Sequence, residues 1–164
     1  MDWLQFVVQW LHVLLGIFWF GNAIAVAAIL IPAISTLPIP TQRQVGGRYA
    51  DIAERMFKVV APAVIILGIV RGTLFGPIGS LDALTTTYGL TWLIGLVAAI
   101  ATFLWGLYVI GGAAQVMNGA PLAADGGPTA ELERATARVK RVAGLELVGF
   151  LVVFTCMILM RFGL

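Results

Sequence analysis

The only histidine in the chain, His12, falls in a stretch from Trp3 to Gln42 that holds no Asp, Glu, Lys or Arg. An imidazole in such surroundings must be hydrogen-bonded, metal-bound or in touch with water. One reading is a helix-to-helix hydrogen bond, to Gln9 or Thr91. The other is chemical: an axial ligand to heme iron, a copper ligand or a proton-handling group. Arg71 is the second such residue. Its guanidinium keeps its charge, so it either reaches out to the membrane surface or holds a carboxylate, a heme propionate or a quinone oxygen. Glu146 has two readings as well: pairing with Arg138, Arg141 or loop backbone, or proton uptake. Cys156 and Met160 lie one turn apart. A thiolate and a thioether form a soft pair suited to Cu(I), and the same two residues also read as simple packing.

Other chemistries lack their motifs. There is no Walker loop, no G-x-S-x-G and no paired-carboxylate arrangement, so neither an NTPase nor a hydrolase is supported. No C-x-x-C, Met-rich repeat or second histidine adds to a metal site. The single cysteine excludes an intramolecular disulfide. Trp10, Trp92, Trp105, Tyr88 and Tyr108 fit interfacial belts or bundle packing.

The elements that must position these residues follow from composition. The 164 residues are 60% apolar and 11% charged, against about 45–50% and about 25% in a soluble domain. A chain this short cannot hide that much apolar surface from water. A soluble enzyme, a disordered tail and a nucleic-acid-binding module are therefore excluded, and the small net charge of +2 is not gathered on one soluble face. The partner that remains is the lipid bilayer.

Apolar runs of roughly 20 residues span a membrane as helices. Four are expected, at about 3–31, 59–75, 88–112 and 142–160, with loops at 32–58 and 113–141. Pro32 is expected to stop the first, Gly76-Pro77 the second, and Gly111-Gly112 to loosen the third. The first run is too long for a signal-peptide core and has no basic start, so it reads as a retained helix. Arg43, Arg48, Arg55 and Lys58 cluster before the second span, and Arg134, Arg138, Lys140 and Arg141 before the fourth. Basic residues in short loops mark the cytoplasmic side. The expectation is thus one all-α domain over 1–164, an integral membrane four-helix bundle with both termini outside (N-out/C-out), multi-pass in a bacterial inner (plasma) membrane. Each basic loop is read as coil leading to a Gly-Gly pair (Gly46-Gly47, Gly126-Gly127) and then a charged helix.

Helical spacing also names the inward faces. Gln5, Gln9, His12, Gly16 and Trp19 form one stripe. Its counterparts are Ala61, Val64, Gly68, Arg71, Phe75; Thr91, Gly95, Ala98, Thr102, Gly106; and Glu146, Gly149, Val153, Cys156, Met160. At 1.5 Å per residue, His12, Arg71 and Cys156 all lie roughly 8–10 Å below the outer surface of the core. With Met160 they are expected to converge there, while Glu146 belongs to the opposite half.

The run Trp10-Leu11-His12-Val13-Leu14-Leu15-Gly16-Ile17-Phe18-Trp19-Phe20-Gly21 resembles the first-helix signature of CopD-like membrane proteins. These are the copper-resistance D domains and their small four-helix relatives, in which Leu-His is followed by an aliphatic run and Trp-x-Gly. The small helical plan with an early intramembrane histidine is also similar to that of HemJ-like protoporphyrinogen oxidases. The resemblance implies that His12 is functional. It leads to a protein that binds or passes copper, or holds a redox cofactor, at His12 with Cys156 and Met160. The alternative is a b-type heme protein with His12 as axial ligand and Arg71 on a propionate. A further alternative is a non-catalytic subunit of a larger membrane complex, or a homodimer.

Overall fold

The structure is a computed structural model and describes residues 2–164. Four helices are long and apolar enough to cross a membrane: α1 (Trp3–Ile34), α2 (Ile39–Thr73), α3 (Thr87–Gly119) and α4 (Ala130–Arg161). The protein is a multi-pass membrane protein built as a four-helix bundle. In a bilayer core no water is available to backbone groups, so helices that satisfy their own hydrogen bonds are the natural solution.

Local chemistry sets the helix starts. Asp2 caps α1 by accepting from the Leu4 amide at 3.0 Å. Thr86 caps α3 through Gly89 at 3.1 Å, and Thr129 caps α4 through Leu132 at 3.2 Å. Arg71 and Arg161 occupy the last turns of α2 and α4, where a cation suits the helix dipole.

The expected apolar runs lie inside longer helices, except that α2 ends at Thr73. Pro32 does not stop α1. A π-helical turn at Val26–Leu30 precedes it, and Pro32 sits in the first turn of the resumed α-helix, where its missing N–H is harmless. Gly111-Gly112, expected only to loosen the third span, lies inside α3, and a second π-helical turn, Trp105–Ile110, comes just before it. The two Gly-Gly pairs differ in kind. Gly46-Gly47 is inside α2, whereas Gly126, at φ 79°, turns the loop ahead of α4. The stretch from Ile39 to the Gly-Gly pair is therefore helix rather than coil, and it continues unbroken into the charged helix expected after it. Its start is tied to the α3–α4 loop by an Arg43 Nη2 hydrogen bond to the Ala120 carbonyl.

Helix α1 packs chiefly on α2, and α3 on α4; lesser contacts of α2 with α3 and α1 with α4 close the ring. Every residue of the four expected inward stripes is buried or half-buried, whereas Leu, Ile and Val side chains on the outer faces are exposed, as lipid-facing surface should be. At mid-bundle Trp19, Ala61, Val64 and Phe150 form the core. The Trp19 ring meets Phe150 edge-on at 4.9 Å, and Phe20 stacks on the same ring at 5.2 Å. The α3–α4 seam is zipped by small residues. A Cβ at Gly95 would come within 3.1 Å of the Cys156 Cβ, and one at Gly149 would collide with Thr102.

Gly149→Ala should therefore destabilise the protein by about 1–3 kcal/mol through overpacking. In Gly149→Ala/Thr102→Ala most of that loss should be recovered, as thermal unfolding in detergent will read.

Candidate functional site

The residues of the first and second stripes meet as two cross-links between α1 and α2. His12 Nδ1 lies 3.0 Å from the Val64 carbonyl oxygen. A carbonyl can only accept, so Nδ1 carries the hydrogen and Nε2 of the neutral ring keeps its lone pair. One turn along α1, Gln9 Oε1 accepts from Arg71 Nε at 2.8 Å, and Arg71 Nη1 donates to the Phe75 carbonyl at 3.0 Å. Val64 and Arg71, seven positions apart on α2, thus face His12 and Gln9 on α1. The imidazole also lies against Gly68, where a Cβ would come within 3.0 Å of His12 Cε1.

Both cross-links border one cavity of about 770 Å³, within the roughly 300–1,000 Å³ usual for ligand sites. It runs from the middle of the bundle to the end that carries both termini, where Gly76, Pro77, Tyr88 and Arg161 line it. Its floor includes Trp19, Thr102 and Phe150. Its walls are mostly aromatic or small: Gly16, Gly68, Gly72 and Gly95 alternate with Phe20, Phe75, Trp92 and Phe154. His12, Gln9 and Arg71 supply the polar chemistry at one side, and Met157 and Met160 bring thioethers from α4.

Of the residues singled out by sequence, His12, Arg71 and Met160 share this cavity. Cys156 does not line it. Its side chain is buried against Gly95 in the α3–α4 seam. Met157, the next residue, turns to the cavity instead, since one helical step rotates a side chain by about 100°. The histidine's partner is the Val64 carbonyl rather than Gln9 or Thr91; the Thr91 hydroxyl donates to the Thr87 carbonyl. Arg71 is held by Gln9 and the end of its own helix. Glu146 makes no ion pair with Arg138 or Arg141 among the described residues, and the one pair found there is Lys58–Glu54.

The aromatic residues divide in the structure. Trp10 and Tyr108 are exposed, at 55% and 70%. Trp105 packs inside, donating Nε1 to the Val142 carbonyl at 2.9 Å. Trp92 and Tyr88 are cavity walls, and the Trp92 indole fills the place of a side chain at Gly72. A signal for this wall was present in Gly68-x-x-x-Gly72, which lays two glycines along one face of α2, with Gly76 just past its end.

No protein-family model, no curated protein and no solved structure matches the chain.

Two substitutions test that geometry. Gly68→Val should push the imidazole from the Val64 carbonyl, and the nitrogen NMR signals of the single histidine should report the lost Nδ1–H bond. Gln9→Leu removes an acceptor from a charged donor and should cost about 1.5–3 kcal/mol in unfolding stability, with Gln9→Glu costing less.

Proposed function

We propose that this protein is a b-type heme-binding redox protein, HemJ-like in plan, with the cofactor in the His12 cavity. One observation carries the reading: a histidine whose Nδ1 is held by a backbone carbonyl borders a large, glycine-walled, aromatic cavity. That second bond is the usual means of fixing a ligating imidazole and leaving Nε2 to the metal.

The residues present fit the group. The face at Gly16 is open, with no atom within 4 Å of where a Cβ would stand, and the aromatic walls suit the apolar body of a flat macrocycle. Arg71 is the partner for a propionate: Gln9 and the Phe75 carbonyl hold the guanidinium at Nε and Nη1, and Nη2 is not engaged in either bond. A bound heme would supply one-electron chemistry. The chain's own part is to hold His12 in one tautomer, to neutralise the propionate side and to keep water out with its aromatic floor.

The copper reading, CopD-like on the first-helix run, draws on His12 and Met160 as donors in the same cavity, with Met157 beside them. It is weaker because the Cys156 thiol packs in the α3–α4 seam. The exposed apolar faces are accounted for by lipid and favour neither a homodimer nor a larger complex. The proposed setting is a bacterial inner membrane with both termini outside, on the strength of the two basic loop regions at one end.

Purified protein should show a Soret band, or gain one when heme is added, and His12→Ala should lose it. A wild-type protein without the band before and after heme addition overturns the reading; Cu(I) affinity that falls in His12→Ala would then favour copper. Orientation has its own test in a Cys156→Ser background. Ser80→Cys should react with an impermeant maleimide in intact cells, and Ala124→Cys only after lysis.

A further inference from the structure

A second polar layer lies beyond the cavity floor, towards the basic end of the bundle. Each helix gives it one residue. Asn22 follows Trp19 by one turn on α1, Gly106 follows Thr102 by one turn on α3, and Glu146 precedes Phe150 by one turn on α4. Trp19, Thr102 and Phe150 line the cavity, whereas none of the layer's residues does. Tyr49 of α2 completes the layer, its hydroxyl donating to Asn22 Oδ1 at 2.7 Å.

Glu146 is half-buried here and has neither a hydrogen bond nor an ion pair from the described residues. Its carboxyl leans on the backbone of α3, so close that a Cβ at Gly106 would stand 2.6 Å from Oε1. Gly106 lies in the π-helical turn Trp105–Ile110, where the regular backbone ladder is interrupted. The ionisable groups that face the carboxyl are few. α1 and α3 carry no Asp, Glu, Lys or Arg, and Tyr108 of α3 is exposed on the outside. From α2 the neighbour in the layer is Tyr49, whose hydroxyl is committed to Asn22, while Arg48 and Asp51 are exposed. On α4 itself Lys140 and Arg141 are exposed, a turn or more away.

A carboxylate in such a place is expensive unless a cation or a proton neutralises it. Among the described residues no side chain supplies the cation; Arg43, a half-buried cation of α2, donates to the Ala120 carbonyl. We propose that Glu146, with the Tyr49–Asn22 pair beside it, is a proton-binding site that exchanges with the solution at the basic end. The carboxylate takes one proton from water there and returns it to water, with no other bond made or broken. The path to that solution is short, since the exposed Arg141 is five positions before Glu146, roughly 7–8 Å along the helix. The aromatic floor shuts it from the cavity, so the inference does not rest on what the cavity holds.

Dicyclohexylcarbodiimide tests this, because it is apolar and needs a protonated carboxyl. The full-length protein in lipid vesicles is treated across a pH series and the adduct located by peptide mass. Modification is expected at Glu146 and not at the exposed Glu131 or Glu133, with a rate falling about tenfold per pH unit above its midpoint. E146Q should abolish it, and Tyr49→Phe should move the midpoint. The pH series on the unaltered protein decides without either variant. No adduct at any pH, or a rate indifferent to pH, overturns the proposal. So does protection by sodium chloride that choline chloride does not give, which would mark a metal-cation site instead.

Discussion

The α1–α2 pair depends on one constraint: a polar group inside it, far from either surface, has no water to turn to, so it must find its partner in the protein. Arg71 shows how completely this is met. Its guanidinium is shared between a side-chain amide on the neighbouring helix and the carbonyl end of its own helix. His12 is treated alike, its Nδ1 placed on the carbonyl of Val64. Both solutions use backbone or neutral acceptors rather than a carboxylate, so the α1–α2 pair is fixed without adding a second charge to the apolar interior. The cross-links have a further effect. They set the register of α1 on α2, and with it which faces of both helices remain to form the cavity wall.

Packing on the other side of the ring follows a different rule. Lipid is as apolar as leucine, so burying leucine gives little reason for helices to associate, and close backbone approach takes its place. The α3–α4 seam is made in this way, with Gly95 under Cys156 and Gly149 under Thr102. The bundle therefore has a polar-latched half and a small-residue half. The cavity lies between them, lined by both, and the Trp19–Phe150 aromatic cluster closes it at mid-depth. A ligand in that space would lie against the open face of Gly16 and the aromatic walls, which suit a flat molecule.

The number of spans and the inward faces were legible in the sequence because both depend on periodicity and on where charges are missing. Gln9, His12, Gly68, Arg71, Thr102 and Glu146 could each be assigned inward on spacing alone. Their partners could not. The Val64 carbonyl is a backbone acceptor and leaves no trace in residue type. Cys156 and Met160 share a stripe, yet that stripe is wide enough to face a seam at one position and a cavity at the other. Pro32 looked like a helix stop, and Gly111-Gly112 like a loosened end, because a regular α-helix was assumed. A wider turn ahead of each changes the hydrogen-bond ladder they meet, and the helix passes through.

Those wider turns also affect how the two helices of the seam are counted against each other. Between Gly95 and Thr102 seven residues of α3 run opposite seven of α4, from Cys156 to Gly149. From Thr102 to Gly106 four residues of α3 are matched by only three of α4, from Gly149 to Glu146. The extra residue falls where α3 enters its π-helical turn. A helix with such a turn behaves as two screws of independent phase joined end to end. The segment along the cavity can keep its small residues against α4, and the segment beyond can be dialled separately to bring Gly106 beneath a carboxyl group. An insertion or deletion near Trp105 would thus re-index the basic end while leaving the walls of the cavity as they are.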